Sequence, residues 1–327
     1  LPEQHRFVIP DGCHWSDIRE RSENLGAAIV GAMRGIELAN PDTLYGVLSM
    51  FSAQKWTDKK NLSDGKIRDL IEHLSTRRLG NNDYPADLMG DAYEILLKKF
   101  ADDSKAQAGE FYTPRSVVSL LVRILDPKPG ETVYDPACGS GGMLIEAVQH
   151  MNHSSLCCGS IFGQEKNVVN SAIAKMNLFL HGASDFNIMQ GDTLRSPKIL
   201  QNGEIAKFDC VIANPPFSLE KWGSVEWSSD KYGRNVWGTP SDSCGDYAWI
   251  QHMVKSMASG NGSMAVVMPQ GVLFRGNEEG RIREKLVKSD LIEAVVTLGD
   301  KLFYGTGLSP CFLILRRLKP AAQIGRA

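Results

Sequence analysis

The sequence of 327 residues lacks the segments that mark a membrane or secreted protein. No apolar run reaches the roughly 18 residues that a membrane-spanning helix needs. The first residues, Leu-Pro-Glu-Gln-His-Arg, do not form the charged and apolar regions of a signal peptide, and because Met is absent we expect further residues upstream. We therefore expect no membrane partner.

The cysteines lack the spacing of a disulfide framework or a zinc site. There are seven, an odd number, and no Cys-x-x-Cys pair occurs. Cys157 and Cys158 are adjacent in the sequence, and adjacent cysteines rarely pair with each other. We interpret the cysteines as reduced thiols of a cytoplasmic protein, and we predict no metal site.

Neither sign of charge is in surplus. The chain has 36 basic and 38 acidic residues and a net charge of −2. A protein that binds DNA on its own usually has a basic surplus, because contacts to phosphates supply much of the affinity. The balance predicts weak DNA binding by this chain alone, with a partner making most of the contacts.

Hydrophobic periodicity divides the chain into two predicted domains. Residues 1–107 place apolar side chains at helical spacing over 17–33, 66–79 and 87–100, with no strand pattern between them. They predict an all-α domain that is either an interaction or DNA-clasping module or a structural cap. The polar segment 102–109 is a predicted linker.

Residues 108–327 alternate strands with helices, which is the pattern of a parallel sheet. They predict an α/β domain with a Rossmann-like, mostly parallel sheet. The seven predicted strands cover residues 132–135, 160–163, 186–190, 208–213, 263–268, 291–297 and 311–315.

A helix is predicted to begin at the carboxyl end of the segment Glu110-Phe111-Tyr112-Thr113-Pro114. Thr113 is a favourable N-cap, and Pro114 is a favourable first helical residue. Phe111 and Tyr112 lie where an aromatic ring can cover a ligand, although two rings that pack the helix entry are the more common case when the pair is taken in isolation.

The first predicted strand leads into a turn of small residues followed by a helix. Small residues let a ligand approach the backbone closely, and the helix N-terminus offers free N–H groups to a carboxylate. The charge of Asp135 repels a diphosphate but suits a cationic amine, such as the methionine part of S-adenosylmethionine. The turn reads Asp135-Pro136-Ala137-Cys138-Gly139-Ser140-Gly141-Gly142. It is neither a Walker loop nor a complete Gly-x-Gly-x-x-Gly motif.

Acidic residues also follow the next two predicted strands. Glu165 is expected to accept hydrogen bonds from ribose hydroxyls, or else to be an acid favoured at a helix N-terminus. Asp192 is a candidate acceptor for an adenine amine, with Leu194 against the ring.

The fourth predicted strand ends abruptly at Asn214-Pro215-Pro216-Phe217. Two prolines cannot donate to a sheet, so the strand must stop there. The Asn214 side-chain oxygen and the Pro215 carbonyl can then accept from an exocyclic amine, while Phe217 stacks on the base. The alternative is an ordinary exit from a strand into a loop.

A long predicted loop, residues 218–244, mixes aromatic and basic residues. Such a mixture suits contact with a flipped base or a single strand. The tryptophans can equally pack the loop against the domain.

Taken in order, these motifs resemble the modification (methylation) subunit of type I restriction-modification systems, an N6-adenine DNA methyltransferase family. The motifs are Glu110–Pro114, Asp135–Gly142, Gly163-Gln164-Glu165, Gly191-Asp192-Thr193-Leu194 and Asn214–Phe217, with Asp246–His252 and Pro269–Gly276 also fitting. The resemblance covers residues 90–316, and five motifs in order are far more specific than any one alone.

The resemblance implies a seven-stranded methyltransferase sheet behind a helical domain, with S-adenosylmethionine as cofactor. It implies that residues 110–114, 140–142 and Glu165 line the cofactor site, and that Asn214, Pro215 and Phe217 surround a flipped adenine of duplex DNA. It further implies a DNA specificity subunit, a second modification subunit and a restriction subunit as partners. In that family a C-terminal helical tail that meets the specificity subunit usually follows the sheet, whereas this sequence ends at Ala327.

Two other functions fit parts of the sequence. Enzymes that methylate a glutamine amide of a protein use a similar Asn-Pro-Pro corner but tend to carry Tyr after the prolines, where this chain has Phe217. A non-catalytic DNA-binding or scaffold subunit would not need Asn214 or the glycine-rich turn, and it would fail to bind S-adenosylmethionine.

Overall fold

The computed structural model describes residues 7–49, 56–77, 92, 95, 113–152, 160–183, 185–299, 302–303 and 309–319. Backbone contacts divide the chain into two compact units, Leu1–Met89 and Gly90–Ala327. The predicted boundary between residues 107 and 108 lies in a stretch outside the described ranges and stays a prediction. No helix in those ranges combines the length and apolarity needed to cross a membrane.

The described residues of the first unit form helices joined by loops, with no strand among them. Its helices are α1 (Trp15–Arg19), α2 (Leu25–Ala39), α3 (Pro41–Leu44) and α4 (Asp64–Ser75). They enclose a small core formed by Ile18, Leu25, Ala32, Ile67 and Ile71. The single helix predicted over 17–33 is wrong, because the chain breaks between α1 and α2, where Asn24 takes a left-handed conformation.

Asp64 stabilises the break between α1 and α2. Its two carboxylate oxygens accept the backbone N–H groups of Asn24 and Leu25 at 3.0 and 3.1 Å. These N–H groups begin α2 and have no partner within the helix, so the acid of one helix caps the start of another. Long-range caps of this kind leave no local spacing for sequence reasoning to find.

The second unit is built on a seven-stranded sheet. The strands are β1 (Val133–Asp135), β2 (Ile161–Glu165), β3 (Phe186–Gln190), β6 (Cys210–Ala213), β7 (Ser263–Pro269), β8 (Ile292–Thr297) and β9 (Pro310–Arg316). Their order across the sheet is β3-β2-β1-β6-β7-β9-β8. The pairs are parallel except β7 with β9 and β9 with β8, so β9 alone in this sheet runs against the others. All seven predicted strands are confirmed.

Helices cover both faces of the sheet and bury its central strands. The helices are α5 (Arg115–Leu125), α6 (Gly142–Asn152), α7 (Val168–Leu180), α8 (Ser224–Ser228), α9 (Asp246–Ser256) and α10 (Asn277–Lys288), with a 3-10 turn at Gln270–Leu273. Along β6 the side chains alternate between two cores. Cys210 and Ile212 join the core of α5, α6 and α7, whereas Val211 and Ala213 join the core that contains α9. A strand buried on both faces reads as a continuous apolar run, which explains the β6 sequence.

Two local predictions need correction. Pro114, not Thr113, is the N-cap of α5, and the helix begins one residue later, at Arg115. A small antiparallel hairpin, β4 (Leu200–Gln201) with β5 (Glu204–Ile205), was not predicted. Its turn at Asn202 and Gly203 has positive φ at both residues, and Asn-Gly is a strong hairpin signal that could have identified it.

Candidate active site

The two predicted site motifs lie at the ends of neighbouring strands. β1 ends at Asp135 and β6 ends at Ala213, and the two strands pair in parallel with Val133 opposite Cys210. Paired strands lie about 4.8 Å apart, so the small-residue turn after β1 and the Asn214 corner after β6 emerge side by side. Ligands of open α/β sheets bind at this carboxyl edge.

Left-handed glycines shape the turn after β1. Gly139 has φ +54° and Gly141 has φ +85°, a region that residues with a side chain rarely adopt. A Cβ at Gly141 would lie 3.4 Å from the backbone of Ala174 in α7. Asn177 of α7 also donates to the Ser140 carbonyl at 2.9 Å. The turn is therefore held close against α7, and α6 begins directly after it, at Gly142.

Asp135 is buried at the start of the turn, with 2% of its surface exposed. One carboxylate oxygen accepts the Ala137 N–H at 2.8 Å. Burial is the main cause that raises the pKa of Asp135 to about 8; the Ala137 hydrogen bond opposes the rise and the nearby charge of Glu165 adds to it. A bound cation would lower this pKa again, because a positive charge stabilises the ionised form.

Glu165 ends β2 and bonds to the backbone on both sides. Its Oε2 accepts the Gly139 N–H at 2.9 Å, and its Oε1 accepts the Asn167 N–H at 2.7 Å. Burial raises the pKa of Glu165 despite these two bonds. The carboxylate thus ties the small-residue turn to the start of α7, and each oxygen keeps a second lone pair for a ligand hydroxyl.

Asp192 and Leu194 follow β3 on the next strand end. Asp192 pairs with the exposed Lys166 at 2.9 Å and accepts the Arg195 N–H at 3.2 Å. Leu194 is buried with 3% exposure. The predicted acceptor for an adenine amine is therefore already engaged on both oxygens, one of them by an exposed lysine side chain.

The Asn214 amide is fixed by one hydrogen bond. Its Nδ2 donates to Oγ1 of Thr113 at 2.8 Å, while its Oδ1 is buried and has no partner among the described residues. Pro215 is buried next to it, and Pro216 is exposed. An acceptor with a set direction and no donor is the feature that a ligand N–H group would satisfy.

Two phenylalanines meet beside this corner. Phe217 is half-buried, and its ring centroid lies 6.2 Å from that of Phe303 at an interplanar angle of 59°. The sequence reasoning identified Phe217 but not Phe303. No short motif links two residues so far apart in the sequence, and only the pairing of β9 with β7 brings the segment near Phe303 to this edge.

Asp246 and Arg275 hold the chain after the corner, and sequence reasoning gave neither a role. Ser218 has the left-handed φ of +50°, and its N–H donates to Oδ1 of Asp246 at 2.7 Å. Arg275 then pairs with Oδ2 of the same carboxylate at 2.8 Å. Both residues lie in motifs that fit the family resemblance, Asp246–His252 and Pro269–Gly276, and those motifs were the signal that could have identified them.

The long segment 218–244 is packed rather than open. It contains α8, and its Trp222 and Trp227 are buried with 2% and 1% exposure and rings in edge contact. Of its basic residues, Lys221 and Lys231 are exposed but Arg234 is buried. For the two buried tryptophans the packing interpretation is correct, and a stacking contact with a base is excluded in this conformation.

Of the predicted segment Glu110–Pro114, the structure describes the last two residues. Glu110, Phe111 and Tyr112 lie outside the described residues, so their predicted contact with the cofactor stays a prediction. Thr113 and Pro114 lie within the described residues. Thr113 accepts a hydrogen bond from Asn214, and Pro114 is the N-cap of α5.

A family model and curated relatives match this chain. The model of the N-6 DNA methylase family matches residues 85–325. A methylase subunit of type I restriction enzyme MjaVII from Methanocaldococcus jannaschii is 35% identical over 268 residues, covering 80% of this chain and 45% of that protein. This chain spans about half the length of the curated relatives it matches.

Solved structures agree with the fold. The methyltransferase subunit of a type I restriction-modification system from Streptococcus thermophilus has a TM-score of 0.83 and 29% identity, covering 97% of this chain and 68% of that one. A protein of Listeria monocytogenes described as a class I S-adenosylmethionine-dependent methyltransferase has a TM-score of 0.64 and 15% identity, covering 90% and 84% of the two chains, and supports the fold alone.

Proposed function

Because this chain belongs to the N-6 DNA methylase family, we propose that it transfers a methyl group from S-adenosylmethionine to N6 of an adenine in DNA. We propose that it does so as the modification subunit of a type I restriction-modification complex, in the cytoplasm where host DNA lies. The methylation protects that DNA from the restriction subunit of the same system.

One observation carries the proposal: at the end of β6, the buried Oδ1 of Asn214 has no partner in the part of the chain that the structure describes. A buried acceptor without a donor costs roughly 1–3 kcal/mol, which a bound N–H group recovers. The exocyclic amine of a flipped adenine supplies such a group, and Phe217 with Phe303 supplies aromatic surface for the base. The hydrogen bond from Nδ2 to Thr113 restrains the amide while its oxygen is left for the ligand.

The neighbouring turn fits S-adenosylmethionine. The N-terminus of α6 suits the carboxylate of its methionine part, and buried Asp135 suits its ammonium group. Glu165 retains lone pairs for ribose hydroxyls, and Asp192 and Leu194 provide a polar and an apolar group for adenine. Residues 110–114, with Ala137, Gly139, Ser140, Gly141 and Gly142, complete the proposed lining.

When bound, S-adenosylmethionine supplies a methyl group on a positively charged sulfur. Asn214 and the Pro215 carbonyl then hold the adenine amine while positive charge develops on its nitrogen. Both acceptors are fixed before the reaction, because Pro215 and Pro216 stiffen the backbone, so little reorganisation is needed. No strong base is required, since the proton can leave after the nitrogen has become positive.

Recognition of the DNA sequence is assigned to a partner. With 36 basic against 38 acidic residues, the chain lacks the surplus that independent DNA binding usually shows. We propose that a DNA specificity subunit reads the target, that two modification subunits assemble on it, and that a restriction subunit completes the larger complex.

The test is co-expression of the chain with the product of a neighbouring specificity gene, followed by mapping of N6-methyladenine in host DNA. The expected result is methylation at one defined sequence. In the Asn214→Ala variant the methylation should disappear while binding of S-adenosylhomocysteine, measured by calorimetry, persists. Equal loss of both would show that Asn214 supports the cofactor site rather than the target.

The same assay separates the two rival functions. Methyl transfer to a glutamine-containing protein, with none to duplex DNA, would replace the proposal with protein methylation. Failure of the wild-type chain to bind S-adenosylhomocysteine would favour a non-catalytic subunit.

A further inference from the structure

Arg234 is the most completely enclosed cation in the segment 218–244, with 2% of its side chain exposed. It pairs with Asp230 through two hydrogen bonds of 3.1 and 2.7 Å, and Asp230 is itself 4% exposed on its side chain. The guanidinium also lies over the Trp227 ring, 4.3 Å from its centroid. Burying such a pair is expensive unless every donor finds an acceptor.

The remaining donors of Arg234 bond to the chain that follows β3. Nη1 donates to the Thr193 carbonyl at 3.0 Å, and Nη2 donates to the Leu194 carbonyl at 2.9 Å. A second bond, from Thr193 Oγ1 to the Pro136 carbonyl at 2.6 Å, joins the same residues to the small-residue turn. The short stretch after Asp192 is therefore held from two sides.

A buried histidine extends this contact to β1. Arg234 Nη1 lies 3.3 Å from Nδ1 of His252, and Nε2 of His252 lies 3.1 Å from the Tyr134 hydroxyl. Burial, reinforced by the charge of Arg234, lowers the pKa of His252 well below its usual value, so the ring is neutral. Its Nδ1 then accepts from Arg234, and its Nε2–H donates to Tyr134, the residue before Asp135.

We propose that Arg234 is a positioning residue for the adenine end of the cofactor site. By holding the carbonyls of Thr193 and Leu194, it sets the direction in which Asp192 and Leu194 face an adenine ring. This inference rests on the proposed function, because it assumes that adenine of the cofactor lies there. It also gives segment 218–244 a structural role, because Arg234 would then stabilise the adenine end of the cofactor site from the side of the Asn214 corner.

This contact requires an arginine, because one side chain must donate to the carbonyls of Thr193 and Leu194 at the same time. The planar guanidinium presents several donors in a fixed fork, so it can bond to both carbonyls and to Asp230 together. A lysine keeps the positive charge and can still pair with Asp230, but its ammonium is a single point that cannot reach all three groups. Arg234→Lys therefore separates positioning from charge.

The experiment measures two ligands by calorimetry on the full chain: S-adenosylhomocysteine, and S-inosylhomocysteine, in which an oxygen replaces the N6 amine. We expect Arg234→Lys to weaken S-adenosylhomocysteine about tenfold and S-inosylhomocysteine much less, so that the preference for adenine shrinks. Because both ligands are measured on one preparation, partial unfolding does not alter the ratio. Asp230→Asn, which weakens the pairing without removing the fork, should shift the ratio in the same direction but less.

The outcomes distinguish this inference from the proposed function. Arg281→Lys is the matched control, since Arg281 forms an exposed pair with Glu278, and it should leave both affinities unchanged. If Arg234→Lys weakens both ligands by one factor, or neither, the positioning role is wrong while the proposed function stands. If the wild-type chain binds neither ligand, the proposed function fails and this inference fails with it.

Discussion

The side-chain amide of Asn214 donates through Nδ2 to Oγ1 of Thr113 at 2.8 Å, and its buried Oδ1 has no hydrogen-bond partner within the described part of the chain. The two residues are 101 positions apart in the chain, one before α5 and the other after β6. The bond restrains the amide in the orientation that leaves Oδ1 for a ligand. Without that bond, the amide would be freer to rotate away from the orientation that the proposed reaction needs.

Replacing Thr113 with Val should therefore lower the methylation rate. The variant keeps the shape of the side chain but removes the acceptor, and we expect kcat to fall about tenfold, the scale of one hydrogen bond. Thr113→Ser keeps the hydroxyl and should retain most of the activity. The measurement is steady-state methylation by the complex with its specificity subunit. An unchanged kcat together with a weaker affinity for S-adenosylhomocysteine would place Thr113 in the cofactor site instead.

A side chain at Gly163 would crowd its buried neighbours. A Cβ there would lie 2.7 Å from Cδ1 of Ile188 and 3.0 Å from Sγ of Cys138. Gly163→Ala should cost about 1–3 kcal/mol of unfolding free energy, as overpacked cores do. Ile188→Val removes the nearest atom and should cost about 1 kcal/mol alone.

The two changes at Gly163 and Ile188 should partly compensate each other. In urea titrations the double variant should be less destabilised than the sum of the single variants by at least about 0.5 kcal/mol. Strict additivity would mean that the extra methyl group is accommodated by movement of Cys138 and the small-residue turn rather than by a clash with Ile188.

The elements that depend on a local sequence pattern could be predicted from the sequence. The continuous apolar run of β6, its stop at Asn214 and Pro215, and the small residues after β1 each specify an element and its end, and all are where the pattern predicts. Parallel strands that alternate with helices end at one edge of the sheet, so the pattern predicts that both motifs lie at that edge. The direct pairing of β1 with β6 depends on the strand order, which the pattern does not specify.

Contacts between distant segments were not predictable. Thr113 was assigned to a helix cap because its local spacing fits one, but in the structure its hydroxyl bonds to Asn214. Asp246 reaches Ser218 and Arg234 reaches Thr193 only because the long segment 218–244 packs back over the sheet. Nothing in the spacing of that segment distinguishes a tryptophan that packs from one that is free to stack on a base.

The stability of the chain should fall with rising pH because of Asp135. Its pKa is about 8 in the folded chain and about 3.9 in an unfolded one, so the folded chain binds the extra proton between these values. The contribution of Asp135 to stability is therefore full below about pH 4 and is lost as pH rises to about 8, by at most about 1.4 kcal/mol per pH unit.

Asp135→Asn isolates this effect from Glu165, whose pKa burial also raises. Urea titrations from pH 5 to 9 should show the variant gaining stability relative to wild type up to about pH 8 and no further. Binding of S-adenosylhomocysteine by wild type at pH 7 should release a proton, because its ammonium group favours ionised Asp135. Calorimetry in two buffers of different ionisation enthalpy detects that release, and a stability difference that is flat with pH would contradict the assignment.

The pair of Arg275 with Asp246 should matter far more for stability than a similar pair on the surface. Asp246 has 1% of its side chain exposed and Glu279 has 7%, and both face the Arg275 guanidinium, which is 29% exposed. Arg275→Met would leave two buried carboxylates without a cation. We expect a loss of at least about 2 kcal/mol, somewhat below the cost of breaking a fully buried pair because Arg275 is partly solvated.

The matched control for Arg275→Met is Arg281→Met on the same stretch of chain. Arg281 pairs with Glu278 while their side chains are 74% and 53% exposed, and its loss should cost less than about 1 kcal/mol. The unfolding free energy of each variant is measured by urea titration at low and high salt, and only the surface pair should respond strongly to salt. Equal costs for the two variants would mean that Asp246 keeps its charge without Arg275. The Ser218 N–H would then be the contact that stabilises Asp246, and the turn after Phe217 would not depend on the ion pair.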